Sequence, residues 1–191
     1  MSDRAVLVVD MLNDFVTGKL KCDRAKRIIP NIEKLVKKAR EKDVPVIYVN
    51  DAHLPKVDKE FKVWGVHAVK GTKGAEVIER LKPQKFDFTV DKRTYSGFYE
   101  TGLDSLLREL DVDTVILVGI NTDCCIKHTA ADAFFRGYKI KVPEDAVEAF
   151  SKREHKFGLE YMKKFYNATI TDVKESLGGM KRKSATSSRT P

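Results

Sequence analysis

Short runs of aliphatic and β-branched residues alternate along the chain with longer stretches in which apolar side chains return every three or four positions. The short runs predict strands over residues 5–9, 46–49, 86–90, 114–118, 138–142 and 168–171, each too brief for a helix and bounded by polar or turn-forming residues. Ile28, Ile29, Ile32, Leu35, Val36 and Ala39 recur at helical spacing and predict a helix ending near Asp43. Further helices are predicted over 75–81, 102–110, from about 124 onward through Ile126, Ala130, Ala133 and Phe134, and over 155–165, with a loop over about 51–73. Strand and helix in alternation build a parallel sheet covered on both faces. The expected fold is therefore α/β, a three-layer αβα sandwich on a sheet of about six parallel strands.

Size and composition narrow this picture. With 191 residues, 42% of them hydrophobic, the chain suits one domain with a sizeable core. Residues 1–177 are assigned to that domain. Residues 178–191, mostly Gly, Ser, Thr, Lys and Arg, read as a flexible basic tail. No apolar run reaches the roughly 18 residues of a membrane span, and the start lacks a signal-peptide layout, so a cytoplasmic protein without a membrane partner is expected.

The net charge of +8 at first suggests nucleic acid, yet Lys181, Arg182, Lys183 and Arg189 supply half of it from the tail. Elsewhere Lys and Glu interleave on helices, and no basic stripe carries interleaved aromatics, so no nucleic-acid partner is expected. Three cysteines, two of them adjacent, make neither a disulfide framework nor a spaced zinc pair, and read as buried or catalytic thiols.

In open parallel sheets ligands bind outside the carboxyl ends of the strands. Asp10 follows the first strand, Asp51 and His53 the second, Lys92 the third, and the segment 121–125 the fourth. A carboxylate, a cation and a thiol thus meet on one rim. A cysteine opening a helix faces free N–H groups and the positive end of the dipole, which favours a thiolate and can hold an oxyanion. Position alone fits small buried thiols equally well and does not choose between Cys124 and Cys125. Asp10 also suits a turn or cap, and Lys92 a surface cation. Asp51 and His53, one residue apart on an extended segment, point to the same side and can share a metal ion, with His67 as a third ligand; ordinary loop histidines are the other reading. Such a set would suit Zn²⁺, Fe²⁺ or Mn²⁺. His128 and His155 read as helix-face residues.

The run Gly119-Ile120-Asn121-Thr122-Asp123-Cys124-Cys125-Ile126-Lys127-His128-Thr129-Ala130-Ala131-Asp132-Ala133 resembles the nucleophile segment of isochorismatase-like cysteine hydrolases. Val8-Val9-Asp10-Met11-Leu12-Asn13-Asp14-Phe15 is similar to that family's first motif, and Lys92-Arg93-Thr94-Tyr95-Ser96-Gly97-Phe98 to its lysine segment. The resemblance implies Asp10, Lys92 and Cys125 as catalytic residues, Cys125 rather than Cys124 being the nucleophile. It also implies an oxyanion hole from the backbone N–H groups of Asn121 and Cys125, and a non-proline cis peptide at Ile120-Asn121.

Within the family the chain looks most like the nicotinamidase and pyrazinamidase group. Asp51-Ala52-His53 and Trp64-Gly65-Val66-His67 resemble its metal segments, the latter without the group's proline; Lys59 stands where some members have a further histidine. The likeness implies a divalent metal on Asp51, His53 and His67, zinc before iron or manganese, and a substrate pocket with Phe15, Trp64 and Tyr99. The implied activity is hydrolysis of a small-molecule amide, nicotinamide first, by a homo-oligomer. Other expectations of the same residues are a hydrolase of ureido or carbamoyl amides, a vinyl-ether hydrolase, for which Cys125 would be superfluous, and a non-catalytic binding protein on the same fold.

Overall fold

The computed structural model describes residues 2–178. In chain order its elements are β1 (Arg4–Val9), α1 (Asn13–Val16), α2 (Ile29–Glu41), β2 (Val46–Asp51), α3 (Phe61–Trp64), β3 (Phe88–Lys92), α4 (Leu103–Glu109), β4 (Thr114–Ile120), α5 (Cys125–Phe135), β5 (Lys139–Pro143), β6 (Val147–Glu148), α6 (Lys152–Phe165), β7 (Thr169–Thr171) and α7 (Val173–Gly178). Six strands lie in the order β3-β2-β1-β4-β5-β7, all parallel, and the two-residue β6 pairs in parallel with the end of β4. This is the α/β sandwich that the alternation predicts.

The period of two along the central strands sorts their side chains into two cores. Val6, Val8, Tyr48, Ile116 and Val118 pack with Ile32, Leu35, Val36 and Ala39 of α2 and Val173 of α7. Leu7, Val9, Ile47, Val49, Val115 and Leu117 pack with Leu103 and Leu107 of α4, Ile126, Ala130 and Ala133 of α5, and Met162 of α6. Every residue of β2 and β4 is buried, as expected of strands covered on both faces.

Two expectations need correction. The third strand starts two residues late, at Phe88, and runs on to Lys92, because it pairs with β2 from Ile47 to Asp51 while Phe86 is left exposed. The helix predicted over 75–81 is absent; two 3₁₀ turns, Lys73–Ala75 and Glu79–Leu81, flank an extended stretch there. Val77 bridges Leu12, Asn13 N donates to Glu76 O and Ile78 N to Met11 O, so tertiary pairing overrides a helical period in this segment. Val173–Gly178 forms α7, which buries Val173 and Ser176. The predicted tail over 178–191 lies, beyond Gly178, outside the described residues. No helix among the described residues is long and apolar enough to cross a membrane.

Gly119 has a particular part in bringing the strand ends together. Its φ is +113°, and a Cβ there would sit 2.0 Å from Val9 O. Only glycine lets the ends of β1 and β4 approach this closely, which sets Asp10 beside the turn that leads into α5.

Candidate active site

Asp10 directly follows β1 in the left-handed region, with φ +54°, a conformation that aspartate tolerates better than most residues. This turns its carboxylate under the ends of β2 and β3. Asp10 Oδ1 accepts from Asp51 N at 2.8 Å, and Oδ2 lies 2.8 Å from Lys92 Nζ. Lys92 is the last residue of β3 and is 1% exposed. Its ammonium also reaches Asp51 Oδ1 at 2.5 Å and Cys125 Sγ at 3.7 Å. One oxygen each of Asp10 and Asp51 and the sulfur of Cys125 lie within 4.8 Å of one another. The structure thus brings Asp10, Lys92 and Cys125 into one buried cluster, with Asp51 as a fourth member.

The electrostatics match proton transfer. Burial, then the neighbouring Asp51 charge, pushes the Asp10 carboxyl up to about 7 against the pull of Lys92. Contact with Cys124 and complete burial raise the Cys125 thiol well above its usual range, although Lys92 pulls it down. The same contact and His128 pull Cys124 down to about 6. The two thiols therefore ionise as a pair that holds one charge. Both line the cleft, yet it is Cys125 that is hydrogen-bonded to Lys92.

Cys125 is the first residue of α5. Asn121 O accepts from the N–H groups of Cys124 and Ile126 at 3.0 and 3.1 Å, a turn that leaves the intervening Cys125 N–H outside it. The Ile120–Asn121 peptide is cis. The lysine segment is laced onto α5: Ser96 Oγ donates to Asp132 Oδ2 at 2.5 Å, and Gly97 N to Thr129 Oγ1 at 2.9 Å. These bonds give Thr129 and Asp132 of the nucleophile motif a structural task.

Above the cluster opens a cleft of about 360 Å³, lined by Phe15, Trp64, Tyr95 and Phe150 together with Asp10, Asp51, Glu60, His67, Asn121 and both thiols. Trp64 Nε1 donates to Tyr95 Oη at 3.0 Å, and Trp64 stacks toward Phe150 with ring centroids 6.4 Å apart. Tyr99 does not reach this cleft. It is exposed and lines a separate groove with Lys59, Arg93 and Glu100, because Gly97 is tied to α5 and Phe98 is buried, which turns the next side chain outward. Tyr95, inside the quoted motif, occupies the place assigned to it.

Asp51, His53 and His67 come together as their spacing suggests, and Glu60 joins them; one ligand atom of each lies within 4.8 Å of the others. Lys59 was the position compared with the family's extra histidine, and the turn before α3 presents the neighbouring Glu60 instead. The donor set fits a divalent cation. His53 Nε2 is buried without a hydrogen-bond partner and stands 3.6 Å from Asp51 Oδ2 and 3.9 Å from Glu60 Oε2. Burial, then the charge of Asp51, pushes the Glu60 carboxyl up to about 7.

Both imidazoles are held by the opposite nitrogen, His67 Nδ1 at 2.7 Å from Gly65 O and His53 Nδ1 at 3.1 Å from Asp58 Oδ2. Asp58 in turn accepts from Leu54 N at 2.7 Å and from the Arg93 guanidinium, which holds its carboxyl down to about 2. Asp58 therefore orients His53, a member of the set that fits a divalent cation. Asp58→Asn is expected to weaken zinc binding by about 10- to 100-fold, read by competition with a coloured chelator; unchanged affinity would refute this role.

The isochorismatase domain family matches residues 4–175. An uncharacterized isochorismatase family protein, YaaI of Bacillus subtilis, is 32% identical over 89% of this chain and 94% of its own. Among solved structures, N-carbamoylsarcosine amidase from Thermoplasma acidophilum is 42% identical, covers 89% of this chain and 96% of its own, and superposes with a TM-score of 0.84. The pyrazinamidase of Pyrococcus horikoshii in complex with zinc is 29% identical, covers 90% and 99%, and superposes with a TM-score of 0.83.

Proposed function

The chain belongs to the isochorismatase family, and on that premise we propose that it is a cysteine-dependent amidohydrolase acting on a small neutral aromatic amide of the nicotinamide type. The lining of the cleft carries this reading. Four aromatic side chains, Phe15, Trp64, Tyr95 and Phe150, face Cys125, and the charged groups beside them are Asp10, Asp51 and Glu60, with no lysine or arginine among the described lining residues. A flat uncharged ring gains from such walls, whereas a carboxylate-bearing substrate meets acidic side chains and no lysine or arginine in the wall to pair with.

The chemistry follows from the cluster. Asp10, poised near neutrality, takes the proton of Cys125 as the sulfur attacks the amide carbonyl carbon. The carbonyl oxygen becomes an oxyanion and takes hydrogen bonds from the Asn121 and Cys125 N–H groups. Collapse of that intermediate breaks the C–N bond, protonated Asp10 passes its proton to the departing nitrogen, and ammonia leaves a thioester on Cys125. Asp10 then removes a proton from water, which attacks the thioester and releases the acid and the free thiol. Throughout, Lys92 keeps the Asp10 carboxylate in place and offsets negative charge on the sulfur. Asp51, His53, Glu60 and His67 would hold a divalent ion, zinc before iron or manganese by their mixed N/O chemistry, and such an ion supplies a Lewis-acidic charge toward a ring nitrogen lone pair.

A second reading is a carbamoyl or ureido amidase, favoured by the 42% identity to N-carbamoylsarcosine amidase. Ammonia release from nicotinamide, pyrazinamide and N-carbamoylsarcosine, measured side by side, separates the two. The expected result is turnover of the two aromatic amides with little or none of the carboxylate substrate. The reverse order would overturn the aromatic-amide reading and leave the amidohydrolase class intact.

A further inference from the structure

The nucleophile turn rests on buried polar groups that the reaction as written does not use. Thr122, three residues before Cys125, is fully buried, its N–H donates to Glu148 O at 2.9 Å, and its Oγ1 shares a 3.0 Å hydrogen bond with His155 Nδ1. Glu148 Oε1 stands 3.6 Å from that same nitrogen and so favours the tautomer carrying a proton there, which makes His155 the donor to Thr122. The other oxygen of Glu148 pairs with Arg24 at 2.9 Å. On the same side α6 comes so close that a Cβ on Gly158 would lie 2.6 Å from Thr122 O. The turn is therefore pressed between β6 and α6, and one side-chain hydrogen bond sets its rotation.

We propose that Thr122 and His155 act as a positioning pair, backed by Glu148 and Arg24, that fixes the turn 121–125 and thereby the approach of the Cys125 sulfur and the Asn121 and Cys125 N–H groups to a bound carbonyl. This rests on Cys125 being the nucleophile. Neither side chain touches substrate. A part-buried hydrogen bond to a turn beside the reacting atom acts on transition-state geometry more than on substrate affinity, since a displacement of about 1 Å already misaligns attack. The backing ion pair matters because an unpaired Glu148 in that setting would compete for the His155 proton and free Thr122.

The test compares Thr122→Val, Thr122→Ser, His155→Leu and the double variant Thr122→Val/His155→Leu in the full chain. For each folded protein, kcat and KM for nicotinamide are measured, together with the iodoacetamide alkylation rate at Cys125 located by fragment mass spectrometry. Thr122→Val and His155→Leu are each expected to lower kcat and the alkylation rate by about 10- to 100-fold with KM within about twofold. Thr122→Ser, which keeps the hydroxyl, is expected to restore both rates to near wild type. The double variant is expected to lose no more than the worse single, because the two groups make one interaction. Single variants that melt earlier but keep wild-type kcat and alkylation rate, or losses that multiply in the double variant, would overturn the proposal. Alkylation needs no substrate, so these comparisons hold if nicotinamide is not the substrate; an unreactive Cys125 in the wild type would instead remove the nucleophile assignment itself.

Discussion

Cys125→Ala is expected to release no measurable ammonia from nicotinamide, its turnover falling by about four orders of magnitude or more, while Cys124→Ala is expected to keep a readily measured rate. The size of the effect follows from the role: without the sulfur there is no thioester, and only binding and oxyanion stabilisation remain. The contrast between neighbours follows from geometry. Cys125 opens α5, takes the hydrogen bond from Lys92 at 3.7 Å and lies within 4.8 Å of the Asp10 and Asp51 oxygens. Cys124 lines the cleft but leans on His128, whose Nδ1 meets the Cys124 carbonyl at 2.8 Å. Mass spectrometry of the acyl-enzyme under acid quench provides the direct reading. A thioester on Cys124, or turnover surviving in Cys125→Ala, would move the nucleophile by one residue.

Lys92→Met is expected to abolish turnover and also to destabilise the fold by about 3–5 kcal/mol, a fall in Tm on the order of 10 °C for a domain of this size. The ammonium is the charge that holds Asp10 and Asp51 together at 2.8 and 2.5 Å, with all three side chains buried. Its own pKa is held well above the usual lysine range, against the pull of burial, by Asp10 and Asp51, so the wild type keeps this cation across neutral pH.

Without that cation the two carboxyls must take up protons to stay buried: Asp10, already raised above the unfolded value of 3.8, rises further, and Asp51, which Lys92 and His53 hold below that value against the push of burial, rises through it. An acid whose folded pKa is raised gives most stability below the unfolded pKa and loses it as pH rises through the folded one. Metal-free Lys92→Met is therefore expected to sit closest to wild type near pH 5 and furthest from it near pH 8. Thermal melts of both proteins at the two pH values check this. A gap that widens toward acid would show that Lys92 does not balance these carboxylates.

Much of the candidate site was legible before any coordinates because it sits at strand ends. A parallel sheet places the residue after each strand on one rim, so Asp10, Asp51, Lys92 and the segment 121–125 stood out from where the apolar runs stop, while the choice of Cys125 over Cys124 came from the resemblance to the family's nucleophile segment. His53 and His67 were legible through type and spacing. Glu60 was not, since its arrival beside His53 depends on the turn that opens α3, and the family comparison falls on the neighbouring Lys59. Tyr95 and Tyr99 are both near the lysine segment; which one faces the cleft was settled by the burial of Phe98 and the bond from Gly97 N to Thr129. Phe150 and His155 carry no local signal, as their partners, Trp64 and Thr122, are remote in the chain.

By itself the sequence determined the alternation of strands and helices, the two-sided burial of β2 and β4, and which residue types stand at the strand ends. These depend on side-chain period and local backbone preference, which act between near neighbours. Tertiary structure alone decided that the stretch after Lys73 pairs with Leu12 instead of coiling, that Asp58 and Arg93 orient His53, and that Glu60, Tyr95 and Phe150 complete the cleft. Each of these rests on a hydrogen bond or ring contact between segments far apart in sequence, and such contacts exist only after the chain has closed around its two cores.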